Sequence, residues 1–173
     1  MKMKKIPLAE GVKLKGVLTK KISELTNEIQ SVSKAIVEKG QTPKPSGRSL
    51  SEVEAELAQV RKDSRTLDRL IYRANIDNTV NFKGEELPIV EAIELATQLR
   101  AEAALCKDMS RSEKERLYHS TGDNVIFYQV TLYDPEEYRK RANELEKEAH
   151  RLSNLINAKN YQVEIEFNDS NYF

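Results

Sequence analysis

Residues 50–74 read LSEVEAELAQVRKDSRTLDRLIYRA, and this stretch decides the fold class. Its apolar residues recur in alternating steps of three and four, with the polar Ser64 taking one position of the pattern. That spacing places them on one face of a helix and is typical of a coiled-coil seam. Ser49 followed by Glu52 has the pattern of a capping box, so we expect the helix to begin here. The seam residues are Leu50, Val53, Leu57, Val60, Leu67, Ile71 and Ala74.

A first helix is predicted over residues 8–39, because the same alternation continues upstream. Before Leu18 the register meets polar or small residues, so we expect the seam to fray toward the N-terminus, with Leu14 and Val17 pointing elsewhere. Gly40 and the prolines after it predict a loop, and two helices joined by about ten residues most simply form an antiparallel hairpin. The seam residues of this helix are Leu18, Ile22, Leu25, Ile29, Val32 and Ile36.

Two further helices follow. Pro88 suits the first turn of the third helix, and Asp134-Pro135 provides a cap and a first turn for the fourth. The third seam contains Ile89, Ile93, Ala96, Leu99, Ala103 and Cys106. The fourth contains Tyr138, Ala142, Leu145, Ala149, Leu152 and Ile156. Four such seams predict a mainly α protein built from long antiparallel helical hairpins with coiled-coil seams.

A minor β component is predicted from three segments with strand-like alternation, at residues 77–84, 125–133 and 161–167. We expect these three segments to pair with one another in a small sheet or ribbon. Residues 110–123 are polar, with helical character predicted as far as Tyr118 and a turn near Gly122. The predicted organisation is an N-terminal tail over residues 1–7, one helical domain over residues 8–167 and a C-terminal tail over residues 168–173.

Composition restricts the possible partners of the chain. Lys and Arg together number 28, as do Asp and Glu, so no net positive field would attract nucleic acid. No stretch approaches the roughly 18 consecutive apolar residues of a membrane-spanning helix. A single cysteine, Cys106, excludes an intrachain disulfide and is typical of a reducing compartment. We therefore expect a cytoplasmic protein without nucleic-acid or membrane partners.

Catalytic and metal-binding patterns are weak. The loop ending in Gly47-Arg48-Ser49 differs from a phosphate-binding loop in spacing, has prolines where N–H donors are needed and follows a helix. His119 and His150 have no partner at metal-ligand spacing, and Cys106 lies on an apolar helix face. We therefore predict no catalytic residues, no metal and no cofactor, and a protein that is not an enzyme. An enzyme using His119 ranks last among the hypotheses.

Polar residues cluster where the second and fourth helices give way to strands. Asparagines commonly cap helix ends, which is one interpretation of this cluster. The other is a pocket for a small anionic ligand, with an arginine as charge partner, asparagines as donors and a tyrosine as stacking face. The candidate ligand-binding residues are Arg73, Asn75, Asn78, Tyr128, Asn160 and Tyr161.

Several short motifs resemble those of an uncharacterised family of bacterial and phage-borne helical proteins labelled septicolysin. They are Leu8-Ala9-Glu10, Lys21-Ile22 with Leu25, Asn75, Asn78, Gly84 with Leu87, Glu91-Ala92-Ile93, Leu152, Ile156 and Asn160-Tyr161. The chain departs from that family at Tyr161, where the family has tryptophan, at Ala96-Thr97, where it has Arg-Asp, and over residues 111–124. The resemblance implies a helical, oligomeric protein with no assigned activity.

Two functional hypotheses follow. The first is a non-enzymatic homo-oligomeric coiled-coil scaffold or binding protein, because four seams are present without catalytic machinery. The second is an oligomer that sequesters a small anionic ligand such as a signalling nucleotide, as phage sponge proteins do, at the helix-to-strand junctions.

Overall fold

A computed structural model describes residues 4–44, 47–121 and 125–172. These residues are mainly helical and form four helices and small antiparallel two-stranded sheets, which confirms the predicted fold class. The chain divides into two compact units. The first contains the chain up to Asn78 together with the residues from Lys159 onward, and the second contains residues 79–158.

The first unit is built on an antiparallel helical hairpin of α1 (Leu8–Val32) and α2 (Leu50–Asp77). Ion pairs set the direction, because Lys15 Nζ lies 2.7 Å from Asp68 Oδ1 and Lys21 Nζ lies 3.1 Å from Glu56 Oε1. The seam predicted for α2 is buried apart from Leu50 and the half-buried Ser64.

The start of α2 follows its capping signal. The Ser49 side chain accepts a hydrogen bond from the Glu52 backbone N–H at 3.3 Å, and the Glu52 carboxylate accepts one from the Ser49 N–H at 2.8 Å. These bonds, led by the one from the backbone N–H, lower the pKa of Glu52 because they stabilise its charged form. The capping box therefore fixes the N-terminus of the helix as predicted.

The first helix is shorter than predicted. It ends at Val32, and Ile36, assigned to the seam, is fully exposed. Arg48, just before α2, pairs with Glu28 near the end of α1, so the two helices begin and end at the same level. Beyond Val32 there is thus no α2 surface to cover another turn, and the heptad spacing alone does not maintain the helix.

Strands from the two ends of the described chain pair in this unit. The strand β1 (Lys4–Pro7), part of the predicted tail, runs antiparallel to β6 (Glu164–Phe167), with Ile6 opposite Ile165. Ile6, Val163, Ile165 and Phe167 are buried while Glu164 and Glu166 are exposed, which confirms the alternation predicted for the last strand.

The β1–β6 ribbon covers the start of α1. A Cβ atom on Gly11 would lie 2.6 Å from Ile165 Cδ1, so the absence of a side chain there lets the strand approach the helix. Leu14, expected to point away, is fully buried. The buried face of α1 therefore continues to its N-terminus through Gly11 and Leu14, and Ile165 of β6 packs over Gly11.

Residues 168–172 follow this ribbon and form a turn. Lys4 Nζ lies 2.9 Å from Oδ2 of the buried Asp169, and Tyr172 Oη donates a 2.6 Å hydrogen bond to Asp63 Oδ2. Burial, followed by this bond to the carboxylate, raises the pKa of Tyr172.

The second unit begins with a hairpin of β2 (Thr79–Phe82) and β3 (Glu85–Pro88). Its two-residue turn has φ of 55° at Lys83 and 87° at Gly84, the left-handed values that a type I′ turn requires. The hairpin confirms the short β segment and glycine turn predicted there. It packs on α3 (Ile89–Met109), and Pro88 ends the strand and caps the helix instead of lying within its first turn.

Helix α4 (Pro135–Gln162) returns along α3. Just before α4, Tyr133 Oη lies 3.1 Å from the Met109 carbonyl at the end of α3. Farther along the two helices, Arg100 hydrogen-bonds Ser153. The seam predicted for α4 is buried or half-buried. On α3 the prediction is wrong at Ile93, which is exposed while Ala92 is buried, because the buried register steps by three from Ile89 instead of four.

Between these helices lies a ribbon of β4 (Glu115–Thr121) and β5 (Val125–Val130). The helical character predicted as far as Tyr118 is wrong, and the predicted turn at Gly122 lies outside the described residues. The three predicted β segments do not pair with one another as expected. Each instead pairs with a local or distant strand in a separate two-stranded ribbon.

Candidate functional site

The predicted site residues at the end of α2 are engaged locally. Arg73 is exposed and donates a 2.7 Å hydrogen bond to Asp77 one turn on, and this bond raises the arginine pKa. The Asn78 amide donates to the Ala74 carbonyl at 2.9 Å, which satisfies an acceptor at the helix end. Asn75 is half-buried. Arg73 also lines an open groove of about 500 Å³ along α2.

The predicted residues near the C-terminus lie in the last turn of α4. Tyr161 is exposed, and Lys13 Nζ of α1 lies 5.9 Å from its ring centroid, within cation–π range. A hydrogen bond to Glu10 is the main cause that raises the pKa of Lys13. Asn160 Oδ1 is buried without a hydrogen-bond donor among the described residues.

These two groups do not form one pocket. Tyr72, next to Arg73, is in cation–π contact with Lys15, whose Nζ lies 5.6 Å from the ring centroid. Tyr161 is in cation–π contact with Lys13 instead. Residues two apart on a helix differ by about 200° around its axis, so the two tyrosines contact nearly opposite sides of α1. No hydrogen bond or ion pair joins the two groups within the described part of the chain. Tyr128 belongs to the other unit, where it is exposed on β5.

The β4–β5 ribbon, called here the exposed ribbon, differs in kind from these helix ends. Its large apolar side chains are between 48% and 70% exposed. Opposite residues of an antiparallel pair share a face, so Leu117, which lies opposite Tyr128, joins Ile126 and Val130 on one side. The exposed residues are Leu117, Tyr118, Val125, Ile126, Phe127, Tyr128 and Val130.

The sequence predicted one of the two strands of this ribbon. The alternation in residues 125–130 predicted β5 and an apolar face that includes Tyr128, but it gave no sign that both faces would be exposed. Strand β4 was not predicted, because Glu113, Lys114, Glu115 and Arg116 have the mixed charges of a solvated helix. A register shift between Leu117 and His119 also breaks the period of two by which strands are recognised.

A cavity of about 740 Å³ lies at the base of the exposed ribbon, within the second unit. Tyr133 contributes to it and is held by its hydroxyl group, which donates a hydrogen bond to Met109 O and can accept one from the Ser112 hydroxyl group 2.9 Å away. Arg116 also lines it and donates a 2.7 Å hydrogen bond to the neutral amide of Gln129, while Arg111 pairs with Asp108 at 3.2 Å. The cavity lining thus includes two guanidinium groups, one of which is bonded to an uncharged partner, and the carboxylates of Asp108 and Glu113.

Other chemistry is sparse in the described residues. They contain no group of three or more histidine, cysteine or carboxylate side chains placed to hold a metal ion. His150 is exposed on α4 and Cys106 is buried on α3. No helix among them is both long and apolar enough to cross a membrane.

The sequence matches the family of unknown function DUF6847 over residues 15–165. The chain belongs to this family. The DUF6847 match includes all of α2, α3 and α4 and the whole exposed ribbon. A search of curated proteins found no match.

The fold is similar to that of a functionally unknown conserved protein from Corynebacterium diphtheriae, known from a crystal structure. The TM-score is 0.66 at 22% sequence identity, and the alignment covers 94% of this chain and 99% of the other. At that identity the similarity shows a shared fold over nearly the whole length of both chains.

Proposed function

We propose that this member of the DUF6847 family is a non-enzymatic, helical homo-oligomer that acts as a scaffold or binding protein through its surfaces. The observation that carries the proposal is the exposed ribbon. Burying one large apolar side chain is worth about 1.5–3 kcal/mol, and exposed apolar clusters commonly mark interaction sites. Covering the ribbon would therefore release substantial free energy.

A second copy of the chain is the partner that we favour. The formal net charge is +0, so two copies do not repel each other through a net field. The strand Val125–Val130 carries no charged side chain that would need an opposite charge on a different protein. An uncharged apolar surface can therefore pack against the same surface of a second copy.

Sedimentation velocity over a micromolar concentration range tests this proposal. We expect the wild type to self-associate and Ile126→Glu to remain monomeric, because a carboxylate would lose hydration beside the apolar side chains of the second copy. Leu105→Glu is the matched control, since Leu105 is an exposed leucine on α3 of the same unit. It should associate as the wild type does. A wild type that stays monomeric at every concentration overturns self-assembly.

We also propose an alternative, that the chain binds and sequesters a small anionic ligand such as a nucleotide. The supporting observation is the cavity at the ribbon base, whose volume of about 740 Å³ lies within the usual range for ligand pockets. Arg116 is the natural charge partner because its observed hydrogen bond is to an uncharged amide.

Native mass spectrometry of the purified protein, followed by denaturation and analysis of released small molecules, tests the alternative. Binding of adenosine monophosphate by calorimetry then compares Arg116→Gln with Arg139→Gln, an exposed arginine on α4 that pairs with Glu136. We expect only Arg116→Gln to lose affinity. Loss in an Arg73→Ala, Asn78→Ala double variant instead would place the ligand at the end of α2, and no released or bound nucleotide at all would reject this role.

A further inference from the structure

The free edge of β5 has a defined set of backbone groups. The Thr131 N–H donates a 3.0 Å hydrogen bond to the Lys114 carbonyl, so the backbone of Thr131 faces β4. Along a strand, the backbone N–H and C=O groups of successive residues point toward opposite edges. Strand β5 keeps this alternation because the bulge lies in β4. The backbone N–H and C=O groups of Ile126, Tyr128 and Val130 therefore point away from β4, toward the open edge.

The two edges of the exposed ribbon are unlike. Natural proteins protect free strand edges with charges, prolines or bulges. The edge of β4 has such protection, since it carries Glu115 and Arg116 and a register shift between Leu117 and His119. The edge of β5, with the sequence VIFYQV, carries neither charge nor proline and keeps a regular register. It is the edge available for pairing.

A two-stranded ribbon is marginally stable in water, and three or more strands with an apolar face are usually needed. The β2–β3 and β1–β6 ribbons meet this need through buried side chains on one face. The exposed ribbon lacks such burial among the described residues, so added strands or a covering surface would stabilise it, and its uncharged, regular β5 edge favours added strands.

We propose that two copies of this chain join along their β5 edges, antiparallel, about a two-fold axis at Tyr128. Only residues whose backbones face the open edge can pair, and an axis at Tyr128 pairs all three of them. Tyr128 then lies opposite Tyr128 of the second copy, and Ile126 lies opposite its Val130. This inference rests on the proposed self-assembly and adds its partner, its edge and its register.

The resulting sheet has four strands in the order β4, β5, β5 and β4. Residues directly opposite share a face, so the apolar faces of the two copies become one continuous surface. The protected β4 edges lie outermost and oppose further strand addition. The assembly is thus a closed dimer about a two-fold axis and not an open filament.

Cysteine cross-linking tests the register. In a Cys106→Ala background, Tyr128→Cys places two thiols directly across the axis, where the Cα atoms are about 5.5 Å apart and a disulfide can form. Phe127→Cys is the matched control one residue away. Its two copies are offset by two residues along the strands, which puts their Cα atoms roughly 8 Å apart, beyond disulfide reach.

We expect Tyr128→Cys to oxidise to a covalent dimer at least tenfold faster than Phe127→Cys. Equal rates, or faster cross-linking of Phe127→Cys, overturn the inferred register. As a second variant, Tyr128→Pro removes one N–H from the open edge while leaving the β4–β5 hydrogen bonds intact, and it should be monomeric.

The failures of the two proposals are distinguishable. A wild type that associates while Tyr128→Pro associates equally well overturns the edge pairing alone, and self-assembly stands. A wild type that is monomeric in sedimentation, with no preference between the two cysteine variants, overturns both.

Discussion

Two of the three antiparallel ribbons in the described part of the chain have opposite surroundings. In the β1–β6 ribbon, one face is buried against α1 and α2, and Phe167 is 5% exposed. In the β4–β5 ribbon both faces are exposed, and Phe127 is 50% exposed. The strand with Phe167 alternates apolar residues with glutamates, whereas the strand with Phe127 is apolar on both faces. Both patterns predict a strand, but the more apolar of the two strands is the one that is exposed.

The two phenylalanines give the largest test of this contrast. We expect Phe167→Ala to lower the free energy of unfolding by about 3–5 kcal/mol, because a buried ring leaves a cavity. Phe127→Ala should change it by less than about 0.5 kcal/mol, since its ring is already largely hydrated. Chemical denaturation followed by circular dichroism at low protein concentration measures both. Similar losses for the two variants would mean that the exposed ribbon is packed within the monomer.

Two tyrosines give a smaller test. Tyr172→Phe removes the hydrogen bond to Asp63 and should cost about 1.5 kcal/mol, the value typical of a bond to a charged acceptor. Tyr128→Phe should be neutral in the monomer, because the side chain of Tyr128 is exposed. Thermal unfolding of both variants against the wild type measures the difference. No loss in Tyr172→Phe would show that the hydrogen bond to Asp63 contributes nothing to stability.

The same tyrosine predicts a pH dependence. The pKa of Tyr172 is raised by burial and by Asp63, so the folded state favours the neutral phenol. Its contribution is therefore fully present below the unfolded pKa of about 10 and is lost as pH rises above that value. In urea titrations between pH 8 and about pH 11, the wild type and Tyr128→Phe should lose this stability, and Tyr172→Phe should lose less. Parallel curves for all three would contradict the assignment.

Two glycines of α1 give the smallest test. Gly16→Ala should stabilise the protein by about 0.8–1 kcal/mol, because Ala is the better helix former and nothing lies within 4 Å of its Cβ. Gly11→Ala should lose that gain, since its Cβ would meet the Ile165 side chain at 2.6 Å. Removing the Ile165 terminal methyl with Ile165→Val should make Gly11→Ala more favourable. A double-mutant cycle by urea denaturation measures this coupling, and additive effects would argue against close packing.

Local signals in the sequence predicted much of the fold. The capping box at Ser49 and Glu52 located the start of α2, and the three-and-four spacing gave its buried face. The strict alternation ending at Phe167 gave β6. Each of these signals depends on residues close together in the chain, where the period of the backbone determines which side chains share a face.

The structural predictions were wrong where contacts between residues far apart in the sequence determine the structure. The close packing at Gly11 depends on Ile165 of β6, and the length of α1 depends on where α2 begins. The candidate ligand residues were grouped because helix ends were expected to meet, yet Tyr72 and Tyr161 contact different sides of α1. The exposure of the β4–β5 ribbon could not be predicted either. An apolar face in the sequence predicts that the face is buried, but it does not identify the surface that buries it.

The pairing of β1 with β6 has a consequence for biosynthesis. Ribosomes add residues from the N-terminus at about 5–20 per second, so roughly 8–30 seconds separate the synthesis of Leu14 from that of Ile165. During that interval the α1–α2 hairpin can form, but the groove around Gly11 stays uncovered and β1 has no neighbouring strand. The nascent chain thus exposes an apolar patch until β6 emerges from the ribosome, and chaperone binding to the chain should fall once β6 has emerged.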